Sequence, residues 1–103
     1  MSRSIPRLLS RVRQLAEQGC VIFTRKAYRE LTTFEEPLTE TDALDVVATL
    51  TEQDFIERIK SRATGEQMYV FKPRLGATVI YVKLLIRDNC IIISFHEDTE
   101  DHA

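Results

Sequence analysis

The spacing of apolar residues differs between the first and second halves of this 103-residue chain. Near the start, apolar residues recur every three or four positions until Gly19: Leu8, Leu9, Val12, Leu15 and Ala16. This spacing predicts an amphipathic helix. In the second half, apolar residues alternate with polar ones or form short runs rich in β-branched side chains, which predicts strands. Helices followed by a mostly antiparallel β-sheet indicate an α+β fold, with the helices packed on the sheet.

Three further elements are predicted before residue 55. The short apolar run over residues 20–23 predicts a strand, and helical spacing predicts helices over residues 25–32 and 40–50. Thr39 and Asp42 have the spacing of a capping box, with Asp in place of the usual Glu or Gln. The positions expected to be buried in these two helices are Ala27, Leu31, Leu44, Val47, Ala48 and Leu50.

The segment 55–62 allows two interpretations. Arg58, Lys60 and Arg62 occupy alternate positions, which favours a strand with one basic face. The same segment also contains helical spacing, so a helix remains open at this stage. Residues 67–71 then predict a further strand, closed by a proline that suits the end or edge of a strand.

The most informative pattern is a predicted β-hairpin over residues 78–96. A two-residue loop of Asp88 and Asn89 would join its strands, because these residue types tolerate the positive φ of tight hairpin turns. That loop length sets the pairing of the two strands. The resulting pairs include Arg87 with Cys90, Lys83 with Ser94, and Tyr81 with His96.

This register divides the hairpin into two chemically different faces. One face is entirely apolar and predicted to be core: Ile80, Val82, Leu84, Ile86, Ile91, Ile93 and Phe95. The other face carries Tyr81, Lys83, Leu85, Arg87, Cys90, Ile92, Ser94 and His96. Directly opposed side chains lie roughly 5 Å apart at Cβ. A phenol, an imidazole, an ammonium and a guanidinium on one face suit the binding and cleavage of a phosphodiester.

The charge distribution refines this hypothesis. The net charge is −2, but residues 58–87 contain seven basic side chains against one acidic side chain, Glu66. A locally basic sheet in a mildly acidic protein is compatible with a short RNA partner, and it is also what a solvated sheet face looks like. The acids at the end of the chain predict a disordered tail over residues 99–103 after one domain over residues 1–98.

Composition excludes several other classes of protein. No apolar run approaches the roughly 20 residues that a membrane span requires, and the start of the chain lacks the apolar stretch of a secretory signal. Cys20 and Cys90 have neither a metal-site spacing nor a disulfide framework, so we expect packing roles for both in a reduced, cytoplasmic protein. No cofactor and no metal site are predicted.

Four segments together resemble a known family. They are LTEQDF (50–55), VFKPRL (70–75), IYVKL (80–84) and IIISFHED (91–98). In this order and spacing they are similar to the MqsR family of bacterial toxins, named for motility and quorum sensing. The resemblance implies a RelE-like α+β fold, metal-independent and sequence-selective cleavage of mRNA, and inhibition by a cognate antitoxin. Family members are known for cleavage at or near GCU triplets.

The resemblance also assigns residues. The family's tyrosine in the Y-x-K strand matches Tyr81, which is followed by Lys83, and the arginine of its P-R-L segment matches Arg74. Three positions depart from the family pattern. Here His96 replaces a lysine after S-F, Glu57 falls on a lysine after D-F, and Met68, with Gln67 adjacent, falls on a glutamine.

We therefore expect His96 to act as general acid or base and Tyr81 to orient the scissile phosphate or stack on a base. Lys83 and Arg74 would hold phosphate. Further RNA contacts are expected from Arg58, Lys60, Arg62 and Arg87. Two alternatives stay open. The departures at Glu57 and Met68 would fit a catalytically inert member that binds RNA or a protein, and an unrelated interaction domain is the third possibility.

Overall fold

The computed structural model of the chain describes residues 4–99. Residues 100–103, most of the predicted acidic tail, lie outside this range. The described helices are α1 (Ser4–Glu17), α2 (Arg25–Glu30) and α3 (Glu40–Ala48), with short 3-10 helices at Leu31–Thr33 and Glu52–Asp54. The described strands are β1 (Val21–Phe23), β2 (Phe55–Lys60), β3 (Gln67–Phe71), β4 (Arg74–Leu75), β5 (Thr78–Ile86) and β6 (Cys90–Glu97).

The strands form one mixed sheet in the order β1-β6-β5-β3-β2, and β4 pairs with the start of β5. The pairing of β1 with β6 is parallel, and the other pairings are antiparallel. The predicted α+β fold class is therefore confirmed. The strand interpretation of the segment after Phe55 is also confirmed, since β2 pairs along most of its length with β3.

The core lies between one face of this sheet and the helices. In α1 the buried residues are Ile5, Leu9, Val12 and Leu15, which recur at helical spacing. In α3 the buried residues are Ala43, Val46 and Val47, followed by Leu50. Leu44 and Ala48, which the sequence predicts to be buried, are only half-buried because the buried arc of the helix is centred on the positions beside them.

The starts of α2 and α3 carry side-chain caps. The hydroxyl of Thr39 accepts the backbone N–H of Asp42 at 3.1 Å, and the Asp42 carboxylate accepts the N–H of Thr39 at 3.0 Å. This is the predicted capping box. The hydroxyl of Thr24 likewise accepts the N–H of Ala27 at 3.1 Å, so α2 begins directly after β1.

The β5–β6 hairpin follows the predicted register over only half of its length. Pairs from Ile80 with Glu97 to Lys83 with Ser94 are as predicted. Between Lys83 and Leu84 the register then shifts by one residue, which makes Ile93 the extra residue of a β-bulge. The predicted pairing of Arg87 with Cys90 is wrong: Cys90 pairs with Ile86. The connection is one residue longer than predicted, and no non-glycine residue within 4–99 adopts positive φ.

The bulge reverses the predicted alternation in the first part of β6. Cys90 and Ile92 were predicted on the polar face, but both are completely buried in the core cluster. Ile91 and Ile93 were predicted in the core and are only half-buried outside it. Burial raises the pKa of the Cys90 thiol to about 12. Cys90 therefore has the predicted packing role, and Cys20 packs against the same cluster.

Candidate functional site

The predicted pair of Tyr81 and His96 lies on the sheet face opposite the core cluster, which we call the site face. The two residues are direct cross-strand partners in β5 and β6. Their rings are stacked, with centroids 5.0 Å apart and planes inclined by 8°. Direct pairing across two central strands therefore holds the imidazole flat against the phenol ring.

The imidazole of His96 is also oriented by the backbone. Its Nδ1 lies 2.9 Å from the carbonyl oxygen of Glu97. Since a carbonyl oxygen only accepts hydrogen bonds, Nδ1 carries the hydrogen in this contact. The other nitrogen, Nε2, is then the atom that accepts a proton in the neutral ring or donates one in the charged ring.

Lys83 occupies the next position along the site face. It pairs directly with Ser94 on β6 and with Val70 on β3. Val70 is completely buried yet lies outside the main core cluster, and Ser94 is only 3% exposed. Lys83 itself is half-buried. The strand partners of Lys83 are thus buried, and Lys83 occupies the position next to the Tyr81–His96 pair on the same face of the sheet.

Helix α2 adds two residues to this site that the sequence analysis missed. The Nζ of Lys26 donates to the hydroxyl of Ser94 at 3.0 Å and lies 2.9 Å from a carboxylate oxygen of Glu30. The other carboxylate oxygen of Glu30 accepts the backbone N–H of Phe95 at 2.8 Å. Because β1 pairs with β6, the helix that follows β1 covers the edge of β6 beside Ser94.

The surroundings keep Glu30 ionised. Burial alone raises the pKa of its carboxyl group, but this effect is outweighed. The hydrogen bonds from Phe95 N–H and Lys26, together with the positive charges of Lys26 and His96, lower the pKa below its ordinary value. The site therefore contains a carboxylate held by the Phe95 N–H and by its ion pair with Lys26. Lys26 and Glu30 are an ordinary i, i+4 pair in the sequence, so only the parallel β1–β6 pairing could have identified them.

The departures from the family pattern also lie on the site face. Glu57 pairs with Val70, which in turn pairs with Lys83, so the exposed Glu57 carboxylate shares the row of Lys83. Met68 is half-buried and follows the same alternation as Val70. Gln67 pairs with Lys60 and therefore lies on the other face of the sheet. Its amide cannot take the place of the family's glutamine, which would stand at position 68.

The basic row of β2 faces away from Tyr81 and His96. Arg58 pairs with Tyr69, which pairs with the core residue Leu84. The guanidinium of Arg58 lies 5.6 Å from the ring centroid of Phe55 and 5.9 Å from that of Tyr69, as in cation–π contacts. Alternation places Lys60 on the same face as Arg58. Arg58 and Lys60 therefore do not share the sheet face of Tyr81 and His96.

The remaining predicted cations lie at other places on the sheet. Arg62 is exposed in the turn after β2. Arg87, at the hairpin tip, donates to both carboxylate oxygens of Glu66 at 2.8 and 2.6 Å. Arg74 pairs with Val79, two residues before Tyr81 on β5, and is exposed. Of the predicted RNA-binding cations, Arg74 is thus the one beside the strand segment that carries Tyr81.

Arg74 also lines a groove of about 760 Å³ between α3 and the segment from Lys72 to Leu75. Carboxylates of Asp42, Asp45 and Asp54 line the same groove. Within residues 4–99, no three His, Cys, Asp or Glu side chains form a group able to hold a metal ion. None of the described helices is long and apolar enough to cross a membrane.

Comparison with known proteins identifies the family. A search of curated proteins gives no match to this chain. A family model described as "Motility quorum-sensing regulator, toxin of MqsA" matches residues 6–97, which include all six strands and nearly all of α1. This match spans most of the chain and agrees with the resemblance carried by the four sequence segments. The chain therefore belongs to the MqsR family of toxins, whose partner in the toxin–antitoxin pair is the antitoxin MqsA.

Proposed function

We propose that this protein is a cytoplasmic toxin that cleaves mRNA without a metal ion, at selected sequences, and is inhibited by a cognate antitoxin. The observation that carries the proposal is the stacked Tyr81–His96 pair beside Lys83 on the site face. An imidazole and an ammonium on adjacent cross-strand pairs supply proton transfer and charge stabilisation within reach of one phosphodiester. Membership of a toxin family supports the same function.

The reaction follows from the chemistry of RNA. The 2′-oxygen loses its proton and bonds to the adjacent phosphorus, the bond from phosphorus to the 5′-oxygen breaks, and the 5′-oxygen takes up a proton. The products are a 2′,3′-cyclic phosphate and a 5′-hydroxyl. His96 is suited to proton transfer through Nε2, because imidazole changes its charge close to neutral pH.

Tyr81 and Lys83 have complementary roles in this proposal. The Tyr81 ring holds the plane of the imidazole by stacking, and its phenol orients the scissile phosphate or a neighbouring base. The Lys83 ammonium stabilises the negative charge that develops on the phosphorane. Arg74 pairs with Val79, which lies two residues before Tyr81 on β5. From this position Arg74 binds phosphate at the edge of the site.

A second candidate function is RNA or protein binding without cleavage. It is favoured by Glu57, whose exposed carboxylate lies in the row of Lys83 and would repel a phosphate there. Under this alternative, the stacked rings would serve as a binding surface alone. Cleavage that depends on His96 would exclude it.

The deciding experiment is a cleavage assay on mixed mRNA with EDTA present. It compares the wild type with His96→Ala and uses His102→Ala as the matched control, since His102 is the chain's other histidine. We expect wild type and His102→Ala to cut at short motifs and leave 2′,3′-cyclic phosphate ends. His96→Ala should lose about 10²- to 10⁴-fold in rate, the usual contribution of a general acid or base.

Two results would count against the proposal. A folded wild type that cuts no RNA at excess enzyme would shift the weight to the binding function. Equal cleavage by His96→Ala and wild type would remove His96 from the mechanism.

A further inference from the structure

Lys26 is held on the site face by groups from two different elements. Its ammonium donates to Ser94 of β6 at 3.0 Å and pairs with Glu30 of α2 at 2.9 Å. Ser94 is nearly completely buried, and Glu30 is anchored through its second oxygen to the backbone of Phe95. The position of the ammonium is therefore set by the sheet edge and not by the helix alone.

This ammonium extends the row of cations beside the stacked rings. Ser94 lies between Lys83, its direct cross-strand partner, and Lys26, its hydrogen-bond donor. His96 lies two residues further along the same face of β6. The site thus has one ammonium on β5 and a second on α2, with a buried hydroxyl between them.

The contacts of Lys26 leave capacity for a ligand. An ammonium has three N–H donors, and the contacts with Ser94 and Glu30 occupy two of them. The Lys26 side chain is 60% exposed, so the third donor is open to solvent. Glu30 is already anchored by the Phe95 N–H, and the Lys26 end of the i, i+4 ion pair is exposed, so the pair adds only modestly to stability.

We propose that Lys26, positioned by Ser94 and Glu30, forms a second phosphate-binding subsite, which holds a backbone phosphate of single-stranded RNA next to the one bound by Lys83. This inference rests on the proposed endoribonuclease function. The RNA strand would run from β5 to the start of α2. Glu30 holds the Lys26 ammonium on the site face, and each of its own oxygens already has a partner in the protein. Lys26 is a substrate-binding residue and takes no part in proton transfer.

The test measures RNA binding as a function of salt. His96→Ala is used as the background so that the RNA stays intact, and a mixed-sequence single strand is the probe. Lys26→Gln is compared with Arg25→Gln, which removes an equal charge from the same helix. Arg25 is exposed, and a helix turns about 100° per residue, so Arg25 points elsewhere.

We expect Lys26→Gln to raise the Kd about tenfold at low salt, the size of one charge-assisted hydrogen bond. The slope of log K against log salt should fall in magnitude by about 0.7, the value for one phosphate contact on a single strand. Lys26→Arg should keep most of the slope, and Arg25→Gln should match the background. Thermal unfolding should show all four proteins folded at the assay temperature, with a modest decrease for Lys26→Gln because Glu30 loses its ion pair. Lys26→Arg keeps that ion pair and should unfold like the background, which separates binding from a structural role.

Equal slopes for Lys26→Gln and Arg25→Gln, in a protein that cleaves RNA, would overturn this subsite alone. A wild type that neither binds nor cleaves RNA would overturn the proposed function and the subsite with it. A second experiment asks whether the phosphate group bound at Lys26 belongs to RNA or is a free anion. Acetylation of Lys26 is measured with the RNA probe and, separately, with inorganic phosphate at matched ionic strength. If inorganic phosphate protects Lys26 as well as RNA does, the subsite binds free anion and does not bind the RNA backbone.

Discussion

The two halves of the β5–β6 hairpin differ in register and in the residues that they place on the site face. In the site half, Ile80 to Lys83 pair with residues 94–97, and polar residues meet as direct partners on the site face. In the tip half, beyond the bulge, the shifted register turns Cys90 and Ile92 into the core. The charge of Arg87 at the tip is matched by Glu66 instead of facing the stacked rings.

The comparison shows that the position of a cation relative to the register decides which groups surround it. Lys83 and Arg87 are both basic, and the sequence pattern places both on the same face of one predicted strand. Lys83 is half-buried and pairs with Ser94, whereas Arg87 is exposed and forms a bidentate ion pair with Glu66. Residue type alone would have assigned both to RNA.

The strongest test of this contrast replaces each of the two cations. On the proposed function, Lys83→Gln should lower kcat for RNA cleavage by about 10²- to 10³-fold, the cost of removing one group that stabilises developing charge. Arg87→Gln should leave kcat within a factor of two, since the guanidinium lies at the hairpin tip, away from the stacked rings, and donates to both oxygens of Glu66. Single-turnover kinetics on a defined RNA measure both values. Equal losses in the two variants would remove the distinction between the halves.

Deleting Ile93 would abolish the difference in register itself. Without this residue, Ser94 and Ile92 could still face Lys83 and Leu84 in a regular ladder. In the wild type, the Thr24 hydroxyl donates to the carbonyl of Ile93 at 3.4 Å. The deletion removes this acceptor, and because Thr24 caps α2, the start of α2 would shift. We expect a folded protein whose cleavage rate is lower by about 10²-fold, the effect of a displacement of about 1 Å in a catalytic site.

Cleavage assays and circular dichroism on the deletion variant provide the measurement. Ile91→Ala, which keeps the chain length and changes a half-buried side chain of the tip half, is the control. A deletion variant with wild-type cleavage would show that the bulge does not position the site.

The smallest expected effect concerns the tip alone. The hydrogen bond from Arg87 lowers the pKa of Glu66 from its ordinary 4.5 to about 2. A lowered carboxyl pKa contributes stability above the unfolded-state value, and this contribution is lost as the pH falls from about 4.5 to about 2. Glu66→Gln should therefore be less stable than wild type at pH 7, and the difference should vanish as pH approaches 2.

Denaturant midpoints at a series of pH values measure this difference. Glu35→Gln, at an exposed loop position, is the matched control and should follow the wild type throughout. A difference that widens on acidification would contradict the assigned direction of the pKa change. RNA cleavage at neutral pH should be unaffected, because the tip lies outside the site half.

The sequence predicts the fold class, the helices and the site half because polar and apolar residues alternate there. Tyr81, Lys83, Ser94 and His96 are separated by apolar residues, so only one register buries the apolar set. In contrast, Ile91, Ile92 and Ile93 are chemically identical neighbours. Either face of this run suits the core, and the sequence pattern has no power to locate a bulge within it.

The contribution of α2 could not be predicted for a different reason. Lys26 and Ser94 are 68 positions apart, and the contact exists because β1 pairs with β6 in parallel. Periodicity identifies the faces of a single element, but it does not identify which strand lies beside which. The opposite orientation of Arg58 and Lys60 was unpredictable for the same reason, since it depends on the pairing of β2 with β3.

The central position of β6 has a consequence for the order in which the protein becomes active. β6 is the last strand of the described chain, yet it lies between β1 and β5. Its insertion joins segments far apart in sequence, a kind of contact that forms slowly during folding. A nascent chain that has not yet released β6 from the ribosome lacks His96, Ser94 and the edge that receives Lys26. On the proposed function, each molecule therefore stays harmless to mRNA until β6 has been made and has inserted between β1 and β5.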